Sequence, residues 1–353
     1  MTVADSPHAP PHRIAATLPL LKDEPILNAA RLDLERRLGA LDPALDLEAE
    51  IQRLRKARNA VILAHYYQES EIQDLADFLG DSLQLSQAAK TTSADVIVFC
   101  GVHFMAETAK ILNPEKIVVV PDMDAGCSLA DGCKPGDLAA WKARHPKHAV
   151  VSYINCSAEV KALSDVIVTS SNAEKIVRAL PEDRPILFVP DRNLGAWLVK
   201  KTGRPMELWQ GACVVHEQYS DKAIVQLKER CERQGAVEIL AHPECESAVL
   251  RHADYVGSTT ALLSRAKVTT AKTVIVATEP GILHQMKKAR PDVTFVDAPS
   301  EDEACGCNNC PHMKRNSLEK LYLCLRDLTP RIELPAELLD GARKPIERML
   351  SMS

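Results

Sequence analysis

The sequence predicts an α/β protein assembled from three repeated units whose parallel sheets stand in pseudo-threefold arrangement around a central site. Three observations carry this. The 353 residues are 46% hydrophobic but only 4% aromatic, a composition suited to layered α/β packing. Short apolar runs alternate with helical segments, the pattern of βαβ units whose strands are buried on both faces. One five-step plan recurs three times at nearly equal spacing.

From the N-terminus, residues 1–28 read as a flexible tail, and Leu27 to Arg58 reads as helix, with apolar residues at helical spacing in the stretch from Asp46 to Arg55. Ala60–Ala64, Asp95–Phe99 and Lys116–Val120 are apolar runs of strand length. Each repeat opens with a strand that enters a polar tip: Ala60-Val-Ile-Leu-Ala-His65-Tyr-Tyr67, Ala149-Val-Val-Ser-Tyr153-Ile154-Asn155, and Ala236-Val-Glu-Ile-Leu-Ala-His242-Pro243-Glu244. The openings at 60, 149 and 236 lie 89 and 87 residues apart. A hydroxyl-bearing strand-to-helix turn follows in each: Asp81-Ser82, Ser170-Ser171, Ser258-Thr259. A third strand then ends in Gly101-Val-His103-Phe-Met105, Pro190-Asp-Arg-Asn193 or Thr278-Glu279. After a helix and a last strand comes a cysteine: Cys127, Cys213, or the group Cys305, Cys307 and Cys310. Ligands of open parallel sheets gather beyond the carboxyl ends of the strands, so the three sets of tips are expected to converge.

The formal net charge of −5 offers no basic excess for a phosphate backbone or an anionic membrane surface, and no stretch has the length of a membrane span. With no secretory leader pattern either, a cytoplasmic location without nucleic-acid or membrane partners is expected. Eleven cysteines, odd in number and clustered near 305–310, suit metal binding better than a secreted disulfide framework. The chain has no phosphate loop, no dinucleotide-binding glycine fingerprint and no His-Glu-x-x-His helix, so neither ATP nor a nicotinamide cofactor is expected.

Three thiolates contributed by three units are one short of a closed structural zinc site, whereas on an iron-sulfur cubane they leave one iron open. Such an iron is a Lewis acid suited to dehydration chemistry. In the last unit Cys305, Cys307 and Cys310 compete for the ligand role by spacing alone, which also leaves a small zinc knuckle open there. His65, Tyr67, His242 and Glu244 are titratable groups at strand ends, where they suit proton movement. Ser82, Ser170, Ser258 and Thr259 offer hydroxyls and backbone N–H groups for a carboxylate or phosphate, or simple helix caps.

The motifs Ala64-His-Tyr-Tyr67, Gln73-Asp-Leu-Ala-Asp-Phe-Leu-Gly-Asp-Ser82, Val98-Phe-Cys-Gly-Val-His-Phe-Met105, Tyr153-Ile-Asn155, His242-Pro-Glu-Cys245 and Cys310-Pro-His-Met313 resemble those of the quinolinate synthase family, from about Leu54 through Leu325. The resemblance implies three homologous three-layer αβα domains around one 4Fe-4S cluster per chain. It implies boundaries at 29–126 (completed by C-terminal helices in 311–353), 127–212 and 213–310. The implied reaction condenses iminoaspartate (iminosuccinate) with dihydroxyacetone phosphate to quinolinate, with loss of phosphate and water, in NAD biosynthesis. An aspartate oxidase or dehydrogenase is the implied functional partner that supplies the imine.

Position by position, the resemblance places the cluster ligands at Cys127, Cys213 and Cys310, which leaves Cys305 and Cys307 spare. It places substrate contacts at His65, Ser82, Tyr153, Ile154, Asn155, Ser170, His242, Pro243, Glu244 and Thr259, with Asp81, Met105 and Ser258 as neighbours. Tyr67 and Glu244 are the expected proton movers, and His65 and His242 orient anionic groups. The Cys-x-Cys-x-x-Cys spacing departs from the Cys-x-x-Cys-x-x-Cys form of members whose extra cysteines pair. Two other readings stand beside this one: a different 4Fe-4S hydro-lyase, and a zinc or iron-sulfur scaffold with exposed thiols and no substrate pocket.

Overall fold

The computed structural model describes residues 25–300 and 308–353, so most of the expected tail, together with Cys305 and Cys307, lies outside the described residues. The chain divides into two compact units, residues 1–45 and 46–353. The first contains the helix Pro25–Gly39. The second opens with Asp46 as the N-cap of the helix Leu47–Ala57. A single helix from Leu27 to Arg58 is therefore not formed. Pro43 cannot donate a helical hydrogen bond, Asp42 Oδ1 accepts the Ala44 N–H at 2.9 Å, and Asp46 Oδ1 accepts the Ala49 N–H at 3.0 Å. These side chains take up amides that a continuous helix would have used.

The second unit holds three four-stranded, all-parallel sheets flanked by helices, and all three have the same topology. The first comprises β1 (Ala60–His65), β2 (Phe78–Gly80), β3 (Val96–Cys100) and β4 (Ile117–Val119), in the order β2-β1-β3-β4. The second comprises β5 (Ala149–Tyr153), β6 (Val166–Val168), β7 (Ile186–Val189) and β8 (Glu207–Leu208), in the order β6-β5-β7-β8. The third comprises β9 (Val237–Ala241), β10 (Tyr255–Val256), β11 (Thr273–Ala277) and β12 (Thr294–Asp297), in the order β10-β9-β11-β12. The central strands β3, β5, β7 and β11 are buried at every residue, because helices cover both faces. This explains why they read as unbroken apolar runs. Truncation of a residue such as Ile97, which is fully buried, is expected to cost about 2–5 kcal/mol.

Register makes the repeats superimposable. The last pairs between the opening and third strands are Ala64 with Cys100, Ser152 with Val189, and Ala241 with Ala277. The next residue in each is His65, Tyr153 or His242, so these three occupy equivalent positions at the carboxyl ends of the sheets. The C-terminal segment ties the first and second sheets together. Ile332 donates to Val118 O at 2.9 Å beside β4, the helix Leu318–Asp327 packs on Leu47–Ala57, and the helix Ala336–Met352 packs on Ala158–Ala162 and β6. No helix among the described residues is long and apolar enough to cross a membrane.

Candidate active site

The carboxyl ends of the three sheets open onto one cavity of about 700 Å3, its mouth included, and Cys127, Cys213 and Cys310 all line it. Each cysteine begins a tight turn whose own amides point back at its sulfur. Leu129 and Ala130 donate to Cys127, His216 to Cys213, and His312 and Met313 to Cys310. Burial pushes the Cys127 thiol to about 12, the Cys310 thiol to about 11 and the Cys213 thiol well upward, and Cys213 also senses both other sulfurs and Glu244. Half-buried thiols whose ionised forms would repel one another, yet which face converging N–H groups, fit a bound cation, whose charge ionises them. The donor set therefore fits a cluster shared by three thiolates.

The turns that carry these cysteines are joined to one another. Val214 N–H donates to Ser128 Oγ at 3.2 Å, linking the Cys213 and Cys127 turns. Arg315 reaches Asp122 and Asp124 at 3.3 Å each, linking the Cys310 and Cys127 turns. Glu279, fully buried, accepts the Cys310 N–H at 3.3 Å and pairs with Lys314 at 3.2 Å, while Lys314 donates to Tyr67 O at 3.0 Å. Gly281 allows this approach: a Cβ there would stand 2.8 Å from Glu279 Oε2, Tyr66 O and Tyr67 Cα.

His65 and His242 share one local geometry. In each, Nδ1 accepts the N–H of the residue two further on, from Tyr67 at 3.2 Å and from Glu244 at 3.3 Å. That bond selects the neutral Nε2–H tautomer. Burial lowers His65 to about 4 and His242 to about 3. Both rings are thus uncharged donors on the cavity wall, and His242 Nε2 lies 3.2 Å from Ser170 Oγ.

Tyr67 Oη lies 2.9 Å from Thr259 Oγ1 and 2.7 Å from Thr278 Oγ1. Thr278 Oγ1 is 3.0 Å from His216 Nε2, His216 Nδ1 is 3.0 Å from Glu244 Oε2, and Tyr153 Oη donates to Glu244 Oε1 at 2.5 Å. These contacts link the two tyrosines through Thr278, His216 and Glu244, with the His216–Glu244 step a close approach and not an aligned hydrogen bond. Burial, then the Glu244 charge, pushes both tyrosines well above their ordinary range, so both are protonated at rest. Burial acts against ionised Glu244, but His216 and then the Tyr153 hydroxyl outweigh it and hold the carboxyl below the usual carboxylate range.

The three hydroxyl tips also meet. Ser171 Oγ donates to Asp81 Oδ2 at 2.7 Å and lies 2.8 Å from Ser258 Oγ, one residue from each unit. Asp81 and Ser258 cap the helices Ser82–Thr91 and Thr259–Val268, which frees the Ser82 and Thr259 side chains for the cavity wall. In the second unit the corresponding cap position is Asn172, so Ser170 and Ser171 lie in the turn before the helix Ala173–Ala179.

Among the sequence-derived candidates, His65, Tyr67, Asp81, Ser82, Met105, Tyr153, Asn155, Ser170, His242, Glu244 and Thr259 line the cavity with the three cysteines. Ile154, Pro243 and Ser258 are buried without lining it. His216 and Glu279 had no assigned role in the sequence reading. For His216 the available signal was its position three residues after Cys213. Glu279 stood at a third-strand tip. Donor atoms of Cys213, His216 and Glu244 lie within 4.8 Å of one another, a set that could hold a metal ion.

Comparison with known proteins gives a consistent result. The family model described as Quinolinate synthetase A protein matches residues 49–351. The protein named quinolinate synthase in Thermosynechococcus vestitus is 60% identical over 309 residues, 88% of this chain and 96% of the relative. Its namesake in Nostoc punctiforme is 60% identical over 317 residues, 90% and 96% of the two chains, and that of Synechocystis sp. is 58% identical over 308 residues, 87% and 96%.

Proposed function

Since the chain belongs to the quinolinate synthetase A protein family, we propose that its central cavity condenses iminoaspartate with dihydroxyacetone phosphate to quinolinate, releasing phosphate and two waters. The observation that carries this reading is the convergence of three equivalent strand ends, with three cysteines and one set of linked polar side chains, on a single cavity. Cys127, Cys213 and Cys310 would hold a 4Fe-4S cluster, which supplies an iron with an open position as a Lewis acid for dehydration. Repeats spanning 29–126 with 311–353, 127–212 and 213–310 belong to the same proposal.

Both substrates are anionic, and the cavity that the thiols line also carries neutral donors. His65 and His242 present Nε2–H, and Ser82, Ser170 and Thr259 present hydroxyls, which together orient carboxylate and phosphate oxygens without a fixed positive charge. Asn155 Oδ1 is a buried acceptor without a hydrogen-bond partner among the described residues, placed to receive a substrate N–H or O–H.

Carbon–carbon bond formation from the enamine form of iminoaspartate breaks the C–O bond to phosphate, which leaves with that bonding pair, and removes one proton; each dehydration then needs a proton delivered to a departing hydroxyl. Glu244, ionised, accepts the first. Tyr67, protonated, delivers the others, and His216 can return its proton through Thr278. Tyr153 holds Glu244 by its second oxygen and so sets the direction of the free lone pair. Imine closure then forms the ring, and aromatisation makes the sequence irreversible.

The reading is tested by supplying anaerobically reconstituted protein with dihydroxyacetone phosphate and enzymatically generated iminoaspartate, and following quinolinate by chromatography. Product from wild type, with loss of at least about 100-fold in Glu244→Gln, is expected. Undiminished turnover in that variant would remove Glu244 from the chemistry. Supply of the imine by an aspartate oxidase or dehydrogenase, and action in the cytoplasm, complete the proposal.

A further inference from the structure

Cys213, His216 and Glu244 are more than neighbours of a shared cluster. His216 is buried, and its Nε2 is held 3.0 Å from Thr278 Oγ1. A cation on Nδ1 leaves the ring proton on Nε2, where Thr278 Oγ1 accepts it. Without the cation, Nδ1 faces Glu244 Oε2 at 3.0 Å, a contact that helps hold the carboxyl ionised but is not aligned as a full hydrogen bond. Here the ring nitrogen, a carboxylate oxygen and the Cys213 sulfur all lie within 4.8 Å of one another and line the cavity. Ligands at about 2.0–2.3 Å from a tetrahedral ion stand roughly 3.3–3.8 Å apart, so small side-chain rotations close the set. The Thr278 contact is the outer-shell bond that fixes the ring of a ligating histidine.

We propose that the cluster-free protein binds one divalent zinc-like cation through Cys213, His216 and Glu244, with a fourth position open to the cavity. One thiolate, one imidazole and one carboxylate suit a borderline cation, and three protein ligands with an open position form the pattern of a non-structural zinc site. Binding ionises the thiol and interrupts the chain between Tyr67 and Glu244. On the reading of Cys213 as a cluster ligand, which this consequence rests on, zinc and cluster compete for one sulfur. Zinc-loaded protein is then a dead-end form that blocks cluster assembly.

The test titrates Co2+ into the full-length chain after anaerobic iron removal, with its fold checked by circular dichroism, and then displaces the cobalt with Zn2+. One Co2+ per chain with a thiolate-to-cobalt absorption band is expected. The band should persist in Cys127→Ala and Cys310→Ala, vanish in Cys213→Ala, and weaken at least about 100-fold in affinity in His216→Ala. Thr278→Val, which keeps the ligands, should weaken binding about 10–100-fold. Loss of the band in Cys127→Ala or Cys310→Ala with retention in His216→Ala would move the ion to the cysteines and overturn the proposal, as would absence of binding in every form. Quinolinate formation, measured separately, reports on the catalytic reading alone: an inactive protein with the expected cobalt pattern keeps the metal site, and an active one without it loses the site.

Discussion

Replacement of Tyr67 by phenylalanine isolates one hydroxyl in the polar chain. The change removes contacts of 2.9 Å to Thr259 and 2.7 Å to Thr278 while keeping the ring against His65, whose centroid is 4.4 Å away. Thr278 retains His216 at 3.0 Å, whereas the buried Thr259 hydroxyl loses its side-chain partner. The stability cost is therefore about 1–3 kcal/mol, one unsatisfied hydroxyl and one weakened bond, small beside a domain stability of about 5–15 kcal/mol. Loss of a positioned general acid is worth about 10²–10⁴ in rate, or about 3–5 kcal/mol of barrier. The expected protein is folded, holds wild-type iron and sulfide, and turns over about 10²–10⁴ times more slowly with a similar KM. Steady-state assays beside metal analysis check this. Full turnover with an intact cluster would refute the relay, and coincident loss of iron would make Tyr67 a structural support.

Glu279→Gln weakens the Lys314 pair and the hold on the Cys310 amide, so iron release to a chelator should accelerate several-fold while the fold persists; unchanged release kinetics would separate Glu279 from the Cys310 turn. Gly281→Ala places a Cβ 2.8 Å from backbone atoms of Tyr66 and Tyr67, with an expected loss of about 1–3 kcal/mol in thermal or denaturant unfolding. His65 is neutral in the fold down to about 4 but takes up a proton near 6.5 when unfolded. The unfolded chain thus binds more protons across that window, and stability falls as pH drops from about 6.5 toward 4, by about 3 kcal/mol for this group. His65→Asn, which keeps an acceptor for the Tyr67 amide, should flatten the pH dependence of melting over that range.

The parts of this molecule that repeat were readable from sequence, and the parts that join repeats were not. His65, Tyr153 and His242 stand at corresponding offsets in runs that only a buried parallel strand explains, and the register later made them equivalent. Asp81 and Ser258 announce helix starts by residue type. His216 has no such signature, because its importance arises from Thr278, 62 residues away, and from Glu244 on another strand end. Glu279 likewise matters through a backbone amide and Lys314, contacts that exist only once two turns are brought together. The break between the helices Pro25–Gly39 and Leu47–Ala57 was signalled by Asp42-Pro43 and Asp46, but the apolar periodicity on either side hid it. The scaffold alternative required exposed thiols, whereas the three described candidate ligands sit inside a cavity with converging donors.

The central claim is that Cys127, Cys213 and Cys310 together hold one cluster on which turnover depends. It is tested most directly by iron and sulfide analysis of anaerobically purified wild type, of the three single alanine variants, and of Cys231→Ala, a thiol in the helix Asp221–Glu232 outside the cavity, each assayed for quinolinate. The account expects about four iron and four sulfide per chain in wild type and Cys231→Ala, with loss of the cluster and of product in each of the other three. Full iron content and turnover in any one of Cys127→Ala, Cys213→Ala or Cys310→Ala would contradict it.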